Sequence, residues 1–453
     1  MQLAAGYVGP IMSEAFDCDV VVVGAGAAGL VAAARAARAG ARVIALEKNR
    51  RAGVKILMSG GTRCNLTNAR GLRRLDVVSG PIDPAFSPAA CQGARAIVKA
   101  FEPNGAFLAK ALRAFDVDAT VGHFEALGVT VKVEANGKIF PVSDRATDVL
   151  SALVGDLTES GATLRPNAPA LGVQPLDASH SRPAGFAVET PGGEVTARRV
   201  ILTVGGASFP GCGTTGEGYE FARRLGHTIV LPRPALAPLK VATDWVSELK
   251  GLSVVDAVAR VRSTEGVILE EQREAVLFTH FGLSGPAILD VSRGVRVGGP
   301  RPTLELDFLP ELSRDAFEEQ LQVRARQGRP LVSALIPSAI PRRLAERLLA
   351  LAGVPPGRLG PELAREERRR LVDMIKRLVL PIEGDLGFAK AEVTTGGVAL
   401  DQVDPATLES RLAPGLYLAG EILDLDGPIG GYNFQAAWST GWLAGQSAAH
   451  RDS

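Results

Sequence analysis

Three glycines and a carboxylate near the N-terminus are spaced as in a nucleotide-binding turn. Gly24, Gly26 and Gly29 follow a run of valines, and Glu47 follows a second apolar run. The first glycine permits a tight turn, the second lets a phosphate group approach the backbone, and the third permits close helix packing. Glu47 lies at the spacing of a carboxylate that accepts hydrogen bonds from ribose hydroxyls. This chemistry is the binding of a dinucleotide.

The elements around these residues are those that such a site requires. Asp19–Val23 is predicted to be a buried strand, because it consists largely of valine. An alanine-rich helix is predicted to run to Ala39, and Arg42–Leu46 is predicted to be the second strand. The N–H groups of Ala27 and Ala28 at the helix start are predicted to receive the diphosphate. NAD and FAD share this fingerprint.

A second glycine pattern serves as a control. Gly211–Gly216 also matches G-x-G-x-x-G, but Phe209-Pro210 precedes it, with no strand leading directly into it. No second strand with an acidic residue follows, so we predict a loop. The sequence therefore contains one credible dinucleotide unit, whereas enzymes of the disulfide-reductase type carry a second one for NAD(P)H.

A second polar, glycine-rich segment lies near the C-terminus. The segment Gly415–Glu421 is predicted to be a strand followed by a turn that contains an acid, and a helix is predicted from Phe434 to Ala449. Glu421 could hold a ribityl chain. The start of the helix could place positive dipole charge near the N1 edge of a flavin. The residues assigned to this site are Gly420, Glu421, Gly430, Gly431, Tyr432 and Asn433.

Long segments resemble the BaiN/RdsA family of NAD(P)/FAD-dependent oxidoreductases. They are KILMSGGTRCNLTN (55–68), FPVSDRATDV (140–149), LTVGGASFPGCGTTGEGYEFARRLGH (202–227), AEVTTGGVAL (391–400) and LYLAGEILDLDGPIGGYNFQAAWSTGWLAG (416–445). The resemblance covers nearly the whole chain. It implies an α/β fold, a Rossmann-like FAD-binding domain of the two-dinucleotide-binding-domain type, with an inserted domain. Thr62, where many relatives have Gly or Ser, is a small departure.

The resemblance also implies the remaining cofactor-binding residues. A polar loop after the second strand is expected to pass near the flavin, although a purely structural loop is the alternative. The backbone of Ala170 is expected near the adenine, and Gly205 near the flavin. Together with Lys48, which follows Glu47, these residues are Lys48, Lys55, Ser59, Gly60, Gly61, Asn65, Ala170 and Gly205.

The chain is predicted to divide into four parts. Residues 1–18 are a flexible extension, because Met1–Phe16 lacks the basic and long apolar regions of a signal peptide. Residues 19–235 form the first part of the FAD-binding domain, and 382–449 form the second. Prolines around 232–238 mark the start of an inserted domain at 236–381, with strands first and helices second.

Candidates for the catalytic group are weak. His280 in the inserted domain could donate a proton, and the alternative is that it is an ordinary loop or core histidine without a functional role. Tyr432 could donate to a substrate oxygen, and Cys64 could be a redox thiol, for which a packing role is the alternative. The turn Thr394–Gly397 could bind a substrate carbonyl or be a plain tight turn.

Composition narrows the class of protein. With 50 Lys and Arg against 49 Asp and Glu among 453 residues, the net charge is +1, which disfavours nucleic-acid and membrane partners. The basic run Arg365–Arg370 is therefore predicted to be a solvated helix face. Four cysteines without a C-x-x-C pair favour a reducing cytoplasm and give no metal site.

These features predict an FAD-dependent oxidoreductase with a small-molecule substrate. NAD(P)H is predicted to be a transient electron donor, and the acceptor an organic molecule such as one with a conjugated C=C bond. The alternatives are a dehydrogenase or oxidase running in reverse, and a flavin-binding sensor without turnover.

Overall fold

The computed structural model describes residues 16–178, 184–296 and 299–450. Residues 1–15 of the predicted extension lie outside this range. The predicted boundary at 18 is slightly late, because Phe16 is already buried and Cys18 begins the first strand. The side chain of Arg42 donates to the backbone oxygens of Phe16 and Asp17, which fixes the entry of the chain.

The described elements match the predicted alternation of strands and helices in the first fifty residues. The strands are β1 (Cys18–Val23), β2 (Val43–Leu46), β3 (Thr67–Asn68), β4 (Val131–Val133), β5 (Lys138–Pro141), β6 (Thr163–Arg165), β7 (Gly172–Leu176), β8 (Gly185–Thr190), β9 (Gly193–Leu202), β10 (Ile229–Ala235), β11 (Leu239–Val241), β12 (Ser253–Arg262), β13 (Ile268–Phe278), β14 (Gly282–Ser284), β15 (Thr303–Asp307), β16 (Leu378–Asp385), β17 (Val393–Val398) and β18 (Leu416–Leu418). The helices are α1 (Ala27–Arg38), α2 (Val54–Thr62), α3 (Ala94–Ala100), α4 (Ala109–Ala114), α5 (Val117–Ala126), α6 (Ala146–Glu159), α7 (Glu217–Arg224), α8 (Trp245–Glu248), α9 (Pro286–Val291), α10 (Arg314–Arg326), α11 (Arg342–Leu351), α12 (Arg365–Lys376) and α13 (Tyr432–Ala449).

The chain forms two compact units. One comprises Met1–Arg233 and Val393–Ser453, and the other is Pro234–Glu392. The first unit contains a sheet of strand order β6-β2-β1-β9-β8-β7, in which β1 pairs in parallel with β2 and β9. Its central strand is a valine run that is buried on both faces, as parallel sheets covered by helices require.

Strand β9 joins the antiparallel and parallel parts of this sheet. Its first half pairs with β8, and its last three residues pair in parallel with β18, while β1 runs along the other edge. Residues Gly193–Leu202 form one continuous strand, in which Gly193–Ala197 pairs with β8 and Ala197–Leu202 pairs with β1.

Helix α13 returns to the start of the chain and packs on α1. At Gly441, a Cβ atom would lie 2.3 Å from the backbone oxygen of Ala28, and at Gly445 it would lie 2.3 Å from that of Ala32. Only glycine permits this approach of the two helix backbones. The C-terminal helix is thereby held against the first turn of the dinucleotide helix.

The second unit contains a closed barrel of order β11-β14-β13-β12-β15-β16. Helices α10, α11 and α12 lie between β15 and β16 in the chain. The predicted end of the inserted domain at 381 is therefore wrong, because it falls inside β16, which pairs with both β15 and β11. The predicted order of strands followed by helices is incomplete for the same reason.

Candidate functional site

The glycine turn after β1 is shaped by close backbone packing. At Gly29, a Cβ atom would lie 1.8 Å from the backbone oxygen of Gly24, and at Gly24 it would lie 2.7 Å from that of Thr203. The Thr203 hydroxyl donates to the same Gly24 oxygen at 2.7 Å. These two glycines are thus required by the fold itself, independently of any ligand.

Gly26 differs from its two neighbours in the motif. A Cβ atom here would meet no other atom within 4 Å, and the backbone has a φ of −83° that any residue adopts. Within the described residues, no side chain caps α1 at this end and its first turn contains no acidic residue. The open N-terminus of α1 therefore fits an anionic ligand such as a diphosphate.

Glu47 is held beside this turn at the end of β2. Its side chain is buried, and it accepts the N–H of Ala25 at 3.0 Å and that of Asn49 at 2.8 Å, one at each carboxylate oxygen. Each oxygen keeps further acceptor capacity for a hydroxyl group. The neighbouring Lys48 turns away from this carboxylate, because its ammonium pairs with Glu217 at 2.7 Å.

The second glycine pattern lies in a loop that contacts the segment after β2. Pro210–Cys212 forms a short 3-10 turn, and Gly216 precedes α7 in the left-handed conformation. The amide of Asn49 donates to the backbone oxygen of Cys212 at 3.0 Å. Gly205, with a φ of 75°, lies at the start of the same connection, where a Cβ atom would contact Thr214.

The segment that was expected to pass the adenine is a loop between two strands. β6 ends at Arg165 and β7 begins at Gly172, so Ala170 is not in a strand. The N–H of Ala168 donates to the backbone oxygen of Glu47 at 2.8 Å. Ala170 therefore follows a backbone contact with the acidic end of β2.

The polar loop after β2 has an unusual backbone. The helical part of α2 ends before Ser59, and Gly60, Gly61 and Thr62 all have positive φ values, of 55°, 67° and 70°. The guanidinium of Arg63 lies 3.9 Å from the centre of the Phe140 ring and pairs with Glu134. Left-handed residues without glycine's freedom are strained, and such strain collects at ligand-binding segments.

Cys64 closes this loop and is fully buried. Burial raises the pKa of its thiol to about 12, although the Ser59 hydroxyl opposes the shift. A thiol in this setting stays protonated and is a poor nucleophile. The packing role is therefore the one that the structure supports.

Segments from the two ends of the chain meet beyond the carboxyl ends of β1 and β18. At Gly420, a Cβ atom would lie 2.9 Å from the Cβ of Ala28, at the start of α1. The ammonium of Lys55 pairs with the Glu421 carboxylate at 2.7 Å. The other Glu421 oxygen accepts the N–H of Thr394 at 2.9 Å. Predicted site residues from both halves are thus in direct contact.

The start of α13 is fixed by three asparagines. Asn68 donates to the backbone oxygen of Gly430 at 2.9 Å, and Asn65, in the orientation that satisfies both ends of its amide, accepts the N–H of Gly431. Asn433 both donates to and accepts from the backbone of Gly427 at 2.8 Å. Its side chain therefore holds the preceding loop. Tyr432 is buried in the core of this unit.

Thr394 connects the T-x-G-G turn to the loop after β9. Its hydroxyl oxygen accepts the N–H groups of Ala207 and Ser208 at 2.9 and 3.0 Å. At Gly396 and Gly397, a Cβ atom would lie 2.5 Å from a backbone oxygen. The geometry is that of a tightly packed turn, which is the second of the two readings.

Sequence reasoning missed two polar residues, Asp424 in the segment after Glu421 and Tyr219 on α7. Asp424 is half-buried, and burial and the nearby charge of Asp426 raise its pKa. Tyr219 of α7 is buried, and its hydroxyl has no hydrogen-bond partner among the described residues. The two aspartates of DLDGP were visible within the family-like segment, whereas nothing in the sequence marked Tyr219.

His280 lies in the second unit, on the exposed turn between β13 and β14. Its ring meets that of Phe281 edge-on, with 4.9 Å between the centroids. In the described ranges, no group of three or more His, Cys, Asp or Glu side chains has a geometry for metal binding. Nor does any described helix have the length and apolar character to cross a membrane.

A family model described as the HI0933-like protein Rossmann domain matches residues 18–80 and 88–447. The chain belongs to this family. It is 34% identical to the 3-dehydro-bile acid delta(4,6)-reductase of Clostridium scindens, over 95% of this chain and 98% of that protein. It is 31% identical to the ribosomal RNA dihydrouridine synthase of Escherichia coli, over 94% of this chain and 97% of that protein.

Among solved structures, the 3-ketosteroid-delta4-(5alpha)-dehydrogenase of Rhodococcus jostii has a TM-score of 0.48 at 17% identity, covering 97% of this chain and 98% of that one. The predicted family and the Rossmann-like fold are confirmed by the family match. This member of the HI0933-like family is a flavin-dependent oxidoreductase.

Proposed function

We propose that the first unit binds one FAD and that the protein is an NAD(P)H-dependent reductase of an activated C=C bond. The observation that carries this proposal is the meeting of both chain ends at one edge of the sheet, with Gly420 against Ala28 and Glu421 paired with Lys55. A site built from both ends suits a long ligand whose two halves have different chemistry.

The residues at this edge fit FAD. The uncapped start of α1 at Gly26 would hold the diphosphate, and the free acceptor capacity of Glu47 would hold the adenosine ribose. The Lys55–Glu421 pair and the loop at Gly60 are the polar groups left for the flavin end. When bound, FAD supplies the transfer of a hydride between a donor and an acceptor.

The chain's own residues orient and enclose this site. Asn65 and Asn68 hold the start of α13 against the segment that follows α2, and Asn433 fixes the loop before it. Thr394 holds the adjacent turn through two backbone N–H groups. These contacts would keep the residues of the site in one geometry, ready for the ligand.

NAD(P)H is proposed as a visiting donor. The described residues contain one G-x-G-x-x-G turn that stands between two parallel strands, and Gly211–Gly216 lies in a loop instead. A nicotinamide donor therefore has no Rossmann unit of its own in this part of the chain. We expect it to bind weakly, reduce the flavin and leave.

The acceptor is proposed to be a small molecule with a C=C bond conjugated to a carbonyl. The names of the two relatives share this chemistry, since a 3-oxo group activates the delta(4,6) double bonds and a uracil carbonyl activates the bond that is reduced in dihydrouridine. The bile-acid reductase, at 34% identity, favours a small molecule. A uracil ring in RNA is the second candidate, which the dihydrouridine synthase favours.

Anaerobic mixing of the purified holoprotein with NADH and NADPH tests the donor. We expect one FAD per chain, and bleaching of its absorbance by at least one of the two nicotinamides. The reduced protein is then mixed with a 4-en-3-oxo steroid or with a uridine-containing ribosomal RNA fragment. Reoxidation by the steroid supports the first acceptor, and reoxidation by RNA alone supports the second. Colourless protein that takes up no FAD would refute the proposal.

A further inference from the structure

One loop of the first unit contacts residues that we assign to opposite ends of the FAD site. This loop, residues 205–216, connects β9 to α7, and we call it the bridging loop. At Gly206, a Cβ atom would lie 3.0 Å from a carboxylate oxygen of Glu421 and 2.5 Å from the hydroxyl oxygen of Thr394. The same hydroxyl accepts two backbone N–H groups of the loop, at 2.9 and 3.0 Å. The first residues of the bridging loop are therefore held beside Glu421, at the proposed flavin end.

The later residues of the bridging loop contact the segment that follows Glu47. The side-chain amide of Asn49 donates to the backbone oxygen of Cys212 at 3.0 Å. At Gly213, a Cβ atom would lie 2.6 Å from the amide nitrogen of Asn49, so the loop backbone packs directly against this side chain. The Cys212 sulfur also lies 3.0 Å from the sulfur of Met58, on α2. This part of the loop is thus held at the proposed adenosine end.

Asn49 links the bridging loop to Glu47. Its backbone N–H donates to the Glu47 carboxylate at 2.8 Å, and its backbone oxygen accepts the N–H of Asn167 at 3.0 Å. Any residue except proline can make these two backbone contacts. The contact with Cys212 requires the side-chain amide, because a carbonyl oxygen needs a donor. A substitution of Asn49 therefore frees the loop at this point and leaves the backbone support of Glu47 in place.

We propose that Asn49 is a positioning residue that keeps the bridging loop closed over the adenosine end of bound FAD and so slows its release. A loop that is fixed at both ends encloses a ligand, and the ligand leaves only when the loop opens. Because Thr394 holds one side, the Asn49 amide decides how often the other side opens. This inference rests on the proposed function, in which FAD is the ligand.

A second contact, at the end of the bridging loop, is expected to be weaker. The ammonium of Lys48 lies 3.2 Å from the Thr215 hydroxyl and 2.7 Å from the Glu217 carboxylate. The side chains of Lys48 and Glu217 are 28% and 52% exposed, and ion pairs in contact with water contribute little. Asn49 is half-buried, and its bond to Cys212 is uncharged, so salt does not screen it. A substitution of Asn49 is therefore expected to have the larger effect on the loop.

The test compares the release of FAD from the wild-type holoprotein and from Asn49→Ala. Gln402→Ala is the matched control, because the Gln402 amide bonds to Thr228, outside the bridging loop. Each holoprotein is diluted, and the rise in FAD fluorescence gives the dissociation rate. We expect dissociation to be about 2- to 12-fold faster in Asn49→Ala, the effect of losing one hydrogen bond. The association rate, measured by rapid mixing of flavin-free protein with FAD, should stay within about twofold, because FAD enters while the loop is open.

Asn49→Asp is the second variant, because it keeps the shape of the side chain and offers no donor to Cys212. It should release FAD at least as fast as Asn49→Ala. Release from both Asn49 variants at the rate of Gln402→Ala would overturn the inference and leave the proposed function intact. So would a variant that binds less FAD at an unchanged dissociation rate, because Asn49 would then only support the fold. Wild-type protein that takes up no FAD would refute the proposed function, and this inference with it.

A second measurement uses the wild-type protein alone. Hydrogen–deuterium exchange of the backbone amides is followed by mass spectrometry in the flavin-free and the FAD-saturated protein. We expect FAD to slow the exchange of residues 205–216 as well as that at the start of α1, because a closed loop opens rarely. If FAD slows exchange at α1 and leaves the bridging loop unchanged, the loop does not close over the ligand and the inference is wrong.

Discussion

A substitution at Gly26 is expected to weaken ligand binding without unfolding the protein. Substitution by alanine places a methyl group where no atom of the chain lies within 4 Å, on a backbone with ordinary φ. The folded protein is therefore expected to tolerate it, at a cost of up to about 1 kcal/mol for a poorer N-cap. The same methyl group occupies the space through which a diphosphate would reach the N–H groups of α1.

The size of the effect follows from the bonds that are lost. A hydrogen bond to a charged group contributes about 1.5–3 kcal/mol. Displacing the diphosphate from one N–H group should therefore weaken FAD binding by about 10- to 150-fold. Gly29→Ala provides the contrast, because its Cβ would lie 1.8 Å from the Gly24 oxygen and the fold itself should fail.

The assay is a titration of the flavin-free protein with FAD, followed by fluorescence, together with thermal unfolding. Gly155→Ala is the matched control, because a Cβ at this position of α6 also meets nothing within 4 Å. It should bind FAD as wild type does and be slightly more stable. If Gly26→Ala binds FAD within twofold of wild type, or if both variants lose FAD equally, the reasoning is refuted.

The Lys55–Glu421 ion pair, the buried thiol of Cys64 and the buried imidazole of His227 each lead to a further prediction. Lys55→Met removes the ion-pair partner of the part-buried Glu421 and should lower the free energy of unfolding by about 1–3 kcal/mol. Adding Glu421→Gln should restore part of this loss. If urea unfolding shows that the effects of the two substitutions simply add, this expectation is wrong. Alkylation under native conditions should label Cys91, which is partly exposed, before Cys64, and the reverse order in mass spectrometry would show that the buried thiol is reactive. Burial lowers the pKa of His227 in the folded protein. Below the ordinary histidine pKa of about 6.5, the unfolded state therefore binds more protons than the folded state. The free energy of unfolding thus decreases as the pH falls from there toward the folded-state pKa. The free energy of unfolding should fall by up to about 1.4 kcal/mol per pH unit in that window from this residue alone, and His227→Gln should flatten the slope; an unchanged slope would exclude the effect.

The local parts of the site could be predicted because their reasons are local. The valine run, the glycine spacing and the acid at 47 each follow from strand burial, backbone approach and ribose chemistry within thirty residues. The meeting of both chain ends was expected from the family-like segments, and the contact of Gly420 with Ala28 agrees with it. The periodicity of apolar residues alone would not have predicted a contact between residues almost 400 positions apart.

The rest depends on partners that are distant in the chain. The ammonium of Lys48 lies on Glu217, and the end of the barrel at β16 depends on pairing with β11, more than 130 residues earlier. The sequence around Lys48 does not indicate Glu217 as its partner, and the sequence of β16 does not indicate that it pairs with β11. The burial of Tyr219 on α7 and the partial burial of Asp424 likewise depend on distant packing, which leaves no pattern in the sequence around them.

The most direct test of a single site shared by both chain ends is a crystal structure of the protein saturated with FAD. We expect one FAD per chain, with its diphosphate at Gly26 on the N-terminus of α1 and its flavin end beside the Lys55–Glu421 pair. A structure that shows FAD elsewhere, or no FAD at saturating concentration, would contradict a shared site.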